Sequence, residues 1–155
     1  MSAGGFTIRT VHHTSSDLSG LIAKLDEDLY QRYPADEVHL VDFTDPSINE
    51  IVFIVAYLNE VPVGCGAIRP IDAESTELKR FFVELSLRKQ GIAKRMLDFL
   101  ENQAKELEFN NIKLETGAAQ PEAVNFYEKY GYLAIAKFGE YVDCESSLCY
   151  EKVLV

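Results

Sequence analysis

One short basic turn, Arg88-Lys89-Gln90-Gly91-Ile92-Ala93-Lys94-Arg95, lies between an apolar strand-like run that ends at Val83 and a helix-period run that begins at Ile92. A change of hydrophobic period from two to 3.6 across a single glycine dictates strand, turn and helix in that order, the building pattern of an α/β fold. Ile92, Met96, Leu97, Leu100, Ala104 and Leu107 trace one side of that helix, which runs for about four or five turns. The first turn of a helix presents unpaired backbone N–H groups and the positive end of the dipole, so an anion there is held without any side chain. Gly91 permits close approach, Ala93 keeps the surface open, and Arg88, Lys89 and Lys94 add flanking charge. A diphosphate suits this arrangement better than an isolated phosphate. The spacing matches neither Gly-x-x-x-x-Gly-Lys-Ser/Thr nor Gly-x-Gly-x-x-Gly, which argues against ATP and NAD.

The turn sits in a basic island on an acidic chain. Between Lys79 and Arg95 the bases are Lys79, Arg80, Arg88, Lys89, Lys94 and Arg95, with Glu84 the only acid. Such an island either serves a small anionic ligand or is a solvated basic face, and the glycine turn favours the ligand. The net charge of −10 opposes nucleic acid, whose phosphates would be repelled over most of the surface. A length of 155 residues suits one domain over 1–155, with no linker dividing it. No apolar run reaches the roughly 18 residues that a membrane span needs. Met1-Ser2-Ala3-Gly4-Gly5 lacks a leader's charged and apolar regions, so a cytoplasmic protein without membrane attachment is expected. Cys65, Cys144 and Cys149 are odd in number and lack metal-type spacing, which suggests reduced thiols, Cys65 as a small buried hydrophobe. His12, His13 and His39 form no ligand pattern, and no metal is expected.

Phe6 to Val11 alternates apolar and polar residues as a half-buried strand does. A helix capped by Ser16-Asp17 follows, with Leu18, Leu21, Ile22, Leu25 and Leu29 on one face; Tyr30, Tyr33 and Pro34 end it. The stretch onward to Pro46 reads as a loop with a short element of its own. Ile51 to Leu58 and Val61 to Ile68 form a hairpin of buried strands, and Glu77 to Val83 is a third. Regular alternation in that third strand sets Leu78 and Arg80 opposite Glu77, Lys79 and Phe81. Ile112 to Thr116 makes a short strand. Gln120-Pro121-Glu122 starts a helix carrying Ala123, Phe126, Tyr127 and Tyr130 that Gly131 stops, and strands near Tyr132 to Ala136 and Ser147 to Leu154 close the chain.

Arg88-x-x-Gly91-x-Ala93 resembles motif A of the GNAT superfamily of acetyl-CoA-dependent N-acetyltransferases, whose pattern is Gln/Arg-x-x-Gly-x-Gly/Ala. Pro121-Glu122-Ala123-Val124-Asn125-Phe126-Tyr127-Glu128-Lys129-Tyr130-Gly131-Tyr132 resembles its motif B. Element order and separation agree, so the resemblance covers nearly the whole chain. It implies an α/β GNAT fold: a mixed, mostly antiparallel sheet of about six or seven strands with a central splay, flanked by about four helices. Acetyl-CoA is the implied co-substrate, with its pyrophosphate on Arg88, Lys89, Gln90, Gly91, Ile92, Ala93 and Lys94. Its pantetheine arm would run between the strand ending at Phe82 and Val83 and the strand from Ile112 to Thr116. A backbone N–H near Val83 would polarise the thioester carbonyl, and Asn125 and Tyr127 would complete the site.

Tyr127 matches the tyrosine that protonates the departing thiolate in many relatives; its other reading is a core aromatic on an amphipathic helix. An acceptor amine with a pKa of about 10.4 is almost wholly protonated at neutral pH, so a base is required. Glu77, eleven residues before Arg88, has the spacing of the catalytic glutamate of histone-type relatives. It could take the proton, or it could be a surface carboxylate paired with Lys79 or Arg80. Glu84 and Glu115 are further candidates. No Cys-His or Ser-His signature is present, which suits direct transfer without an acyl-enzyme.

By the same resemblance the acceptor pocket takes Tyr30, Arg32, Tyr33, Arg69 and Tyr141. Arg69 either binds an acceptor carboxylate, favouring an amino acid or similar small molecule, or is a solvent-facing strand-end charge. The expected activity is acetyl transfer to the primary amine of a small molecule. A CoA-binding sensor or regulatory module without turnover, a protein N-acetyltransferase, and a homodimeric assembly remain open alternatives.

Overall fold

The period change at Gly91 is a change of backbone: Gly91 adopts the left-handed conformation at φ 83° and caps a helix over Ile92–Glu106. The computed structural model describes residues 5–154; the Met1 to Gly4 segment read for leader features, and Val155, lie outside the described residues. The strands are β1 (Phe6–Val11), β2 (Val52–Leu58), β3 (Val61–Pro70), β4 (Ser75–Val83), β5 (Asn111–Gly117), β6 (Leu133–Ile135) and β7 (Ser147–Val153). The helices are α1 (Ser16–Arg32), α2 (Ile92–Glu106) and α3 (Pro121–Lys129). All seven strands join one sheet in the order β1-β2-β3-β4-β5-β7-β6, antiparallel except for the β4–β5 pair.

The charge-free run in β2 is explained by burial on both faces. Phe53, Val55 and Tyr57 pack with Leu18, Leu21, Ile22 and Leu25 of α1, while Ile54 and Ala56 join the cluster containing Met96, Leu97 and Leu100 of α2. Three α-helices flank the sheet among the described residues, in rough agreement with the about four expected. The remaining helical turns are short 3-10 segments at Ala35–Glu37, Pro46–Glu50, Leu85–Leu87 and Gly139–Tyr141. Between Pro34 and Glu50 only Ile48 is buried within such a segment, so no apolar stripe supports a longer helix there. Ser15, rather than Ser16-Asp17, caps α1, its side chain accepting from the Leu18 N–H at 3.3 Å, and Asp17 instead accepts from the Tyr57 hydroxyl. Leu107 lies past the end of α2 and is 51% exposed, so it does not extend the buried stripe.

Two irregularities in β4 shape the centre of the molecule. Against β3, Lys79 pairs with Ala67 and Phe82 with Cys65, so β4 carries one extra residue, and Arg80 takes φ 50° to absorb it. This β-bulge overturns the regular alternation expected for the strand. Arg80 turns to the α1 side, where it ion-pairs with Asp26 and donates to the His39 carbonyl, while Phe81 packs into the α2 cluster. On its other edge, β4 pairs with β5 only from Ser75 to Leu78, against Asn111 to Leu114. Beyond that point β5 stays with β7 as far as Gly117, and the two parallel strands part. The sheet is thereby splayed at its centre.

Candidate active site

A cavity of about 110 Å³ opens where β4 and β5 part. Leu78 to Phe81 form its β4 wall and Leu114 to Thr116 its β5 wall; α1 contributes Leu25 and Leu29, and α3 contributes Ala123 and Tyr127. Tyr127 is 7% exposed, and its hydroxyl makes no hydrogen bond among the described residues. Burial raises its pKa, so the phenol keeps its proton at neutral pH. Phe81, Phe126 and Tyr132 surround the ring, which is both a core aromatic and a wall of the cavity.

Glu115 lies on the opposite wall. Burial raises its carboxyl above the usual range, an effect that the hydrogen bond from Ser147 at 2.7 Å reduces. Glu77 is 2% exposed and does not line the cavity. Its carboxylate is fully engaged, accepting from Arg69 Nη2 at 2.8 Å and from the Tyr141 hydroxyl, with Lys79 Nζ at 3.9 Å. Tyr141 in turn accepts from Lys79 Nζ at 2.9 Å, so Lys79, Tyr141 and Glu77 form one chain of hydrogen bonds whose cavity end is Lys79 and Tyr141. For Glu77, a surface carboxylate paired with Lys79 or Arg80 is excluded by its burial and by its partner: it pairs chiefly with Arg69, Lys79 stands farther off, and Arg80 pairs with Asp26.

The α2 start has the features an anion site needs. The first intrahelical bond runs from the Arg95 N–H to the Gly91 carbonyl, which leaves the N–H groups of Ile92, Ala93 and Lys94 ahead of the ladder. Nothing lies within 4 Å of a Cβ placed on Gly91, so the space above the turn is open. Lys89 and Gln90 are exposed, and Lys94 ion-pairs with Asp98 one turn on. Arg88 folds back: its Nε donates to the Val83 carbonyl at 2.9 Å and its guanidinium lies over the Phe82 ring. The turn is thus tied to the end of β4. Phe82 faces the α1 cluster and Val83 the α2 cluster, while Asn125 is exposed on α3.

The expected acceptor residues separate into two groups. Tyr141 lines the cavity, and Tyr33 reaches it indirectly by donating to Gln120 Oε1 at 3.1 Å. Tyr30 is 47% exposed, and Arg32 is engaged by Asp28 and Glu122, so neither lies in the cavity. Arg69 bonds Glu77 and Glu140 through Nη2. Sequence reasoning overlooked Lys79 and His39, both of which line the cavity. Lys79 was within reach, since position i+2 of a strand shares the face of Glu77; His39, in a loop without periodicity, carried no signal. Cys65 is fully buried with its thiol pushed up to about 12 by that burial, as a small core hydrophobe should be. No group of side chains suited to hold a metal occurs among the described residues.

Comparison with known proteins agrees with this fold. The profile of the Acetyltransferase (GNAT) family matches residues 18–132. An IAA acetyltransferase of Azospirillum brasilense is 38% identical over 136 residues, covering 86% of this chain and 88% of the relative. An acyl-CoA N-acyltransferase structure from Klebsiella pneumoniae superposes with a TM-score of 0.85 at 26% identity, covering 97% of this chain and 98% of that one. A GNAT family acetyltransferase from Elizabethkingia anophelis, solved with acetyl-CoA bound, shares the fold at a TM-score of 0.72 and 18% identity, covering 96% and 98%.

Proposed function

Because the chain belongs to the acetyltransferase (GNAT) family and is an acetyl-CoA-dependent N-acetyltransferase, we propose that it transfers the acetyl group directly to the primary amine of a small molecule, with Tyr127 as acid and Glu115 as base. The observation that carries this reading is the meeting of Tyr127 and Glu115 on opposite walls of one cavity at the strand divergence. Residues 1–155 act as one domain in the cytoplasm; no helix among the described residues is long and apolar enough to cross a membrane.

The residues present fit the donor. The open space over Gly91 and the free N–H groups of Ile92, Ala93 and Lys94 suit a diphosphate, with Arg88, Lys89 and Gln90 along its approach. Beyond Leu78 the β5-facing edge of β4, through Phe82 to Val83, has no strand partner and can receive an extended arm; Asn125 flanks that path from α3. Acetyl-CoA supplies the activated acyl group and a thiol leaving group. Tyr127, protonated at neutral pH, donates its proton to the departing sulfur. Glu115, raised by burial, accepts the proton that the acceptor's ammonium must lose. Holding both partners in one cleft makes the attack effectively unimolecular.

Glu77 supports a second reading. Its hydrogen bond from Tyr141, a residue that lines the cavity, provides a route by which Glu77 would collect the proton through Tyr141. The pH dependence of kcat/KM in Glu115→Gln and Glu77→Gln separates the two. Loss of the acidic limb only in Glu115→Gln supports the direct base; loss only in Glu77→Gln supports the relay.

A protein acetyltransferase is the remaining alternative. Thiol release from acetyl-CoA with a panel of small amines discriminates between the two, with IAA, taken from the name of the Azospirillum relative, run beside that panel. A protein acetyltransferase releases thiol only with peptides or proteins.

A further inference from the structure

We propose that Lys79 is the acceptor-recognition residue, its ammonium binding a carboxylate carried by the same small molecule whose amine is acetylated, so that the acceptor is an amino-acid-like zwitterion. The proposal rests on the acetyl transfer argued above and names the substrate class of that site.

Lys79 lines the cavity, yet its side chain is only 4% exposed. An ammonium carries three donors, and a buried charge is costly unless its hydrogen bonds are made. One donor goes to the Tyr141 hydroxyl at 2.9 Å. The nearest carboxylates, Glu77 at 3.9 Å and Glu140 at 3.7 Å, lie beyond hydrogen-bond range. Two donors of a buried cation therefore lack acceptors among the described residues. Both of those carboxylates instead receive Arg69, which removes Arg69 as the free carboxylate binder. Of the cations lining the cavity, Arg80 has one unpartnered donor, its buried Nε, but its terminal nitrogens are held by Asp26 and the His39 carbonyl, which leaves Lys79 as the cation with two unused donors there. Burial lowers the Lys79 pKa, and an incoming carboxylate reverses that cost by pairing with the ammonium.

The geometry also orients the acceptor. Lys79 stands on the β4 wall and Glu115 on the β5 wall, so a carboxylate on the first points the amine toward the second. The charges already present balance: Arg69 and Lys79 stand against Glu77 and Glu140, and Arg80 pairs with Asp26. A zwitterion adds no net charge to this set, whereas a simple alkylammonium ion adds a cation to the cavity and leaves the two remaining Lys79 donors without acceptors.

The test is a thiol-release assay with glycine, alanine and β-alanine, each against its own primary amide, in the wild type and in Lys79→Met and Lys79→Arg. The amides carry less basic amines, which works against the expected preference. The wild type is expected to favour the carboxylate member of each pair in kcat/KM by about ten- to a hundredfold. Lys79→Met should bring that ratio close to one, chiefly through KM, and Lys79→Arg should retain part of it. A wild-type ratio of one or below, or an undiminished ratio in Lys79→Met, overturns the proposal while leaving acetyl transfer standing. Acetyl-CoA binding with turnover only on amines lacking a carboxylate also overturns it. Failure of any amine to release thiol removes the proposed transfer itself, and this inference with it.

Discussion

At the level of single residues, burial favours the protonated form of both Tyr127 and Glu115, and the two serve opposite roles. Tyr127 is kept protonated by its surroundings, and Tyr127→Phe is expected to lower kcat by roughly a hundredfold or more while acetyl-CoA affinity, measured by calorimetry, stays unchanged. Glu115 binds its proton more tightly in the folded chain than in the unfolded one. Between the ordinary carboxylate range and its raised value the native state holds the extra proton, so its contribution to stability falls as pH rises through that window. Glu115→Gln should therefore raise the unfolding midpoint at neutral pH, since Gln still accepts from Ser147, yet slow the enzyme. In that variant kcat/KM should keep rising toward the acceptor amine's own pKa, without the limb set by Glu115. Tyr127 and Gly91 were legible in sequence because each sits in a local motif. Glu115 was legible only as one candidate base among three; the place of Lys79 and the engagement of Arg69 were not legible, because they arise from contacts between residues distant in the chain: Lys79 meets Tyr141, and Arg69 meets Glu140.

Among the elements, β4 is decisive. The strand, its neighbours and the amphipathic α2 were readable from period alone, since alternation and helical spacing are local properties. The bulge was not, because period two assumes one residue per partner, and the extra residue at Arg80 appears only when β3 sets the register. It is held by a buried Arg80 paired with Asp26 of α1. Asp26→Ala leaves that guanidinium without its carboxylate and is expected to cost about 3 kcal/mol in denaturant-measured stability. Asp26→Ala should also disturb Lys79 and Phe81, which flank the bulge on the β4 wall of the cavity, so activity should fall further than stability alone explains. A comparably destabilising core change far from the bulge, Leu100→Ala at about 3 kcal/mol, supplies the control.

For the molecule as a whole, the proposed reaction draws on one sheet: the α2 start beside the end of β4 would hold the donor's diphosphate, and the splay between β4 and β5 is where the donor's arm and the acceptor would meet. At a hundred times its dissociation constant, acetyl-CoA is expected to raise the unfolding midpoint by roughly 5–10 °C. Gly91→Val places a side chain in the open space above the turn and at φ 83°, and should abolish that shift while leaving the unliganded chain folded. The overall architecture was visible in the order of elements and two motifs. The acceptor was not, because its cavity is assembled from α1, β4, β5, α3 and the segment before β7. The most direct measurement is therefore acetyl-CoA-dependent thiol release by the wild type and by Tyr127→Phe across a panel of small amines. Release with at least one small amine, reduced roughly a hundredfold in the variant, is the expected result. No release with any of them, or equal rates in both proteins, would contradict the account.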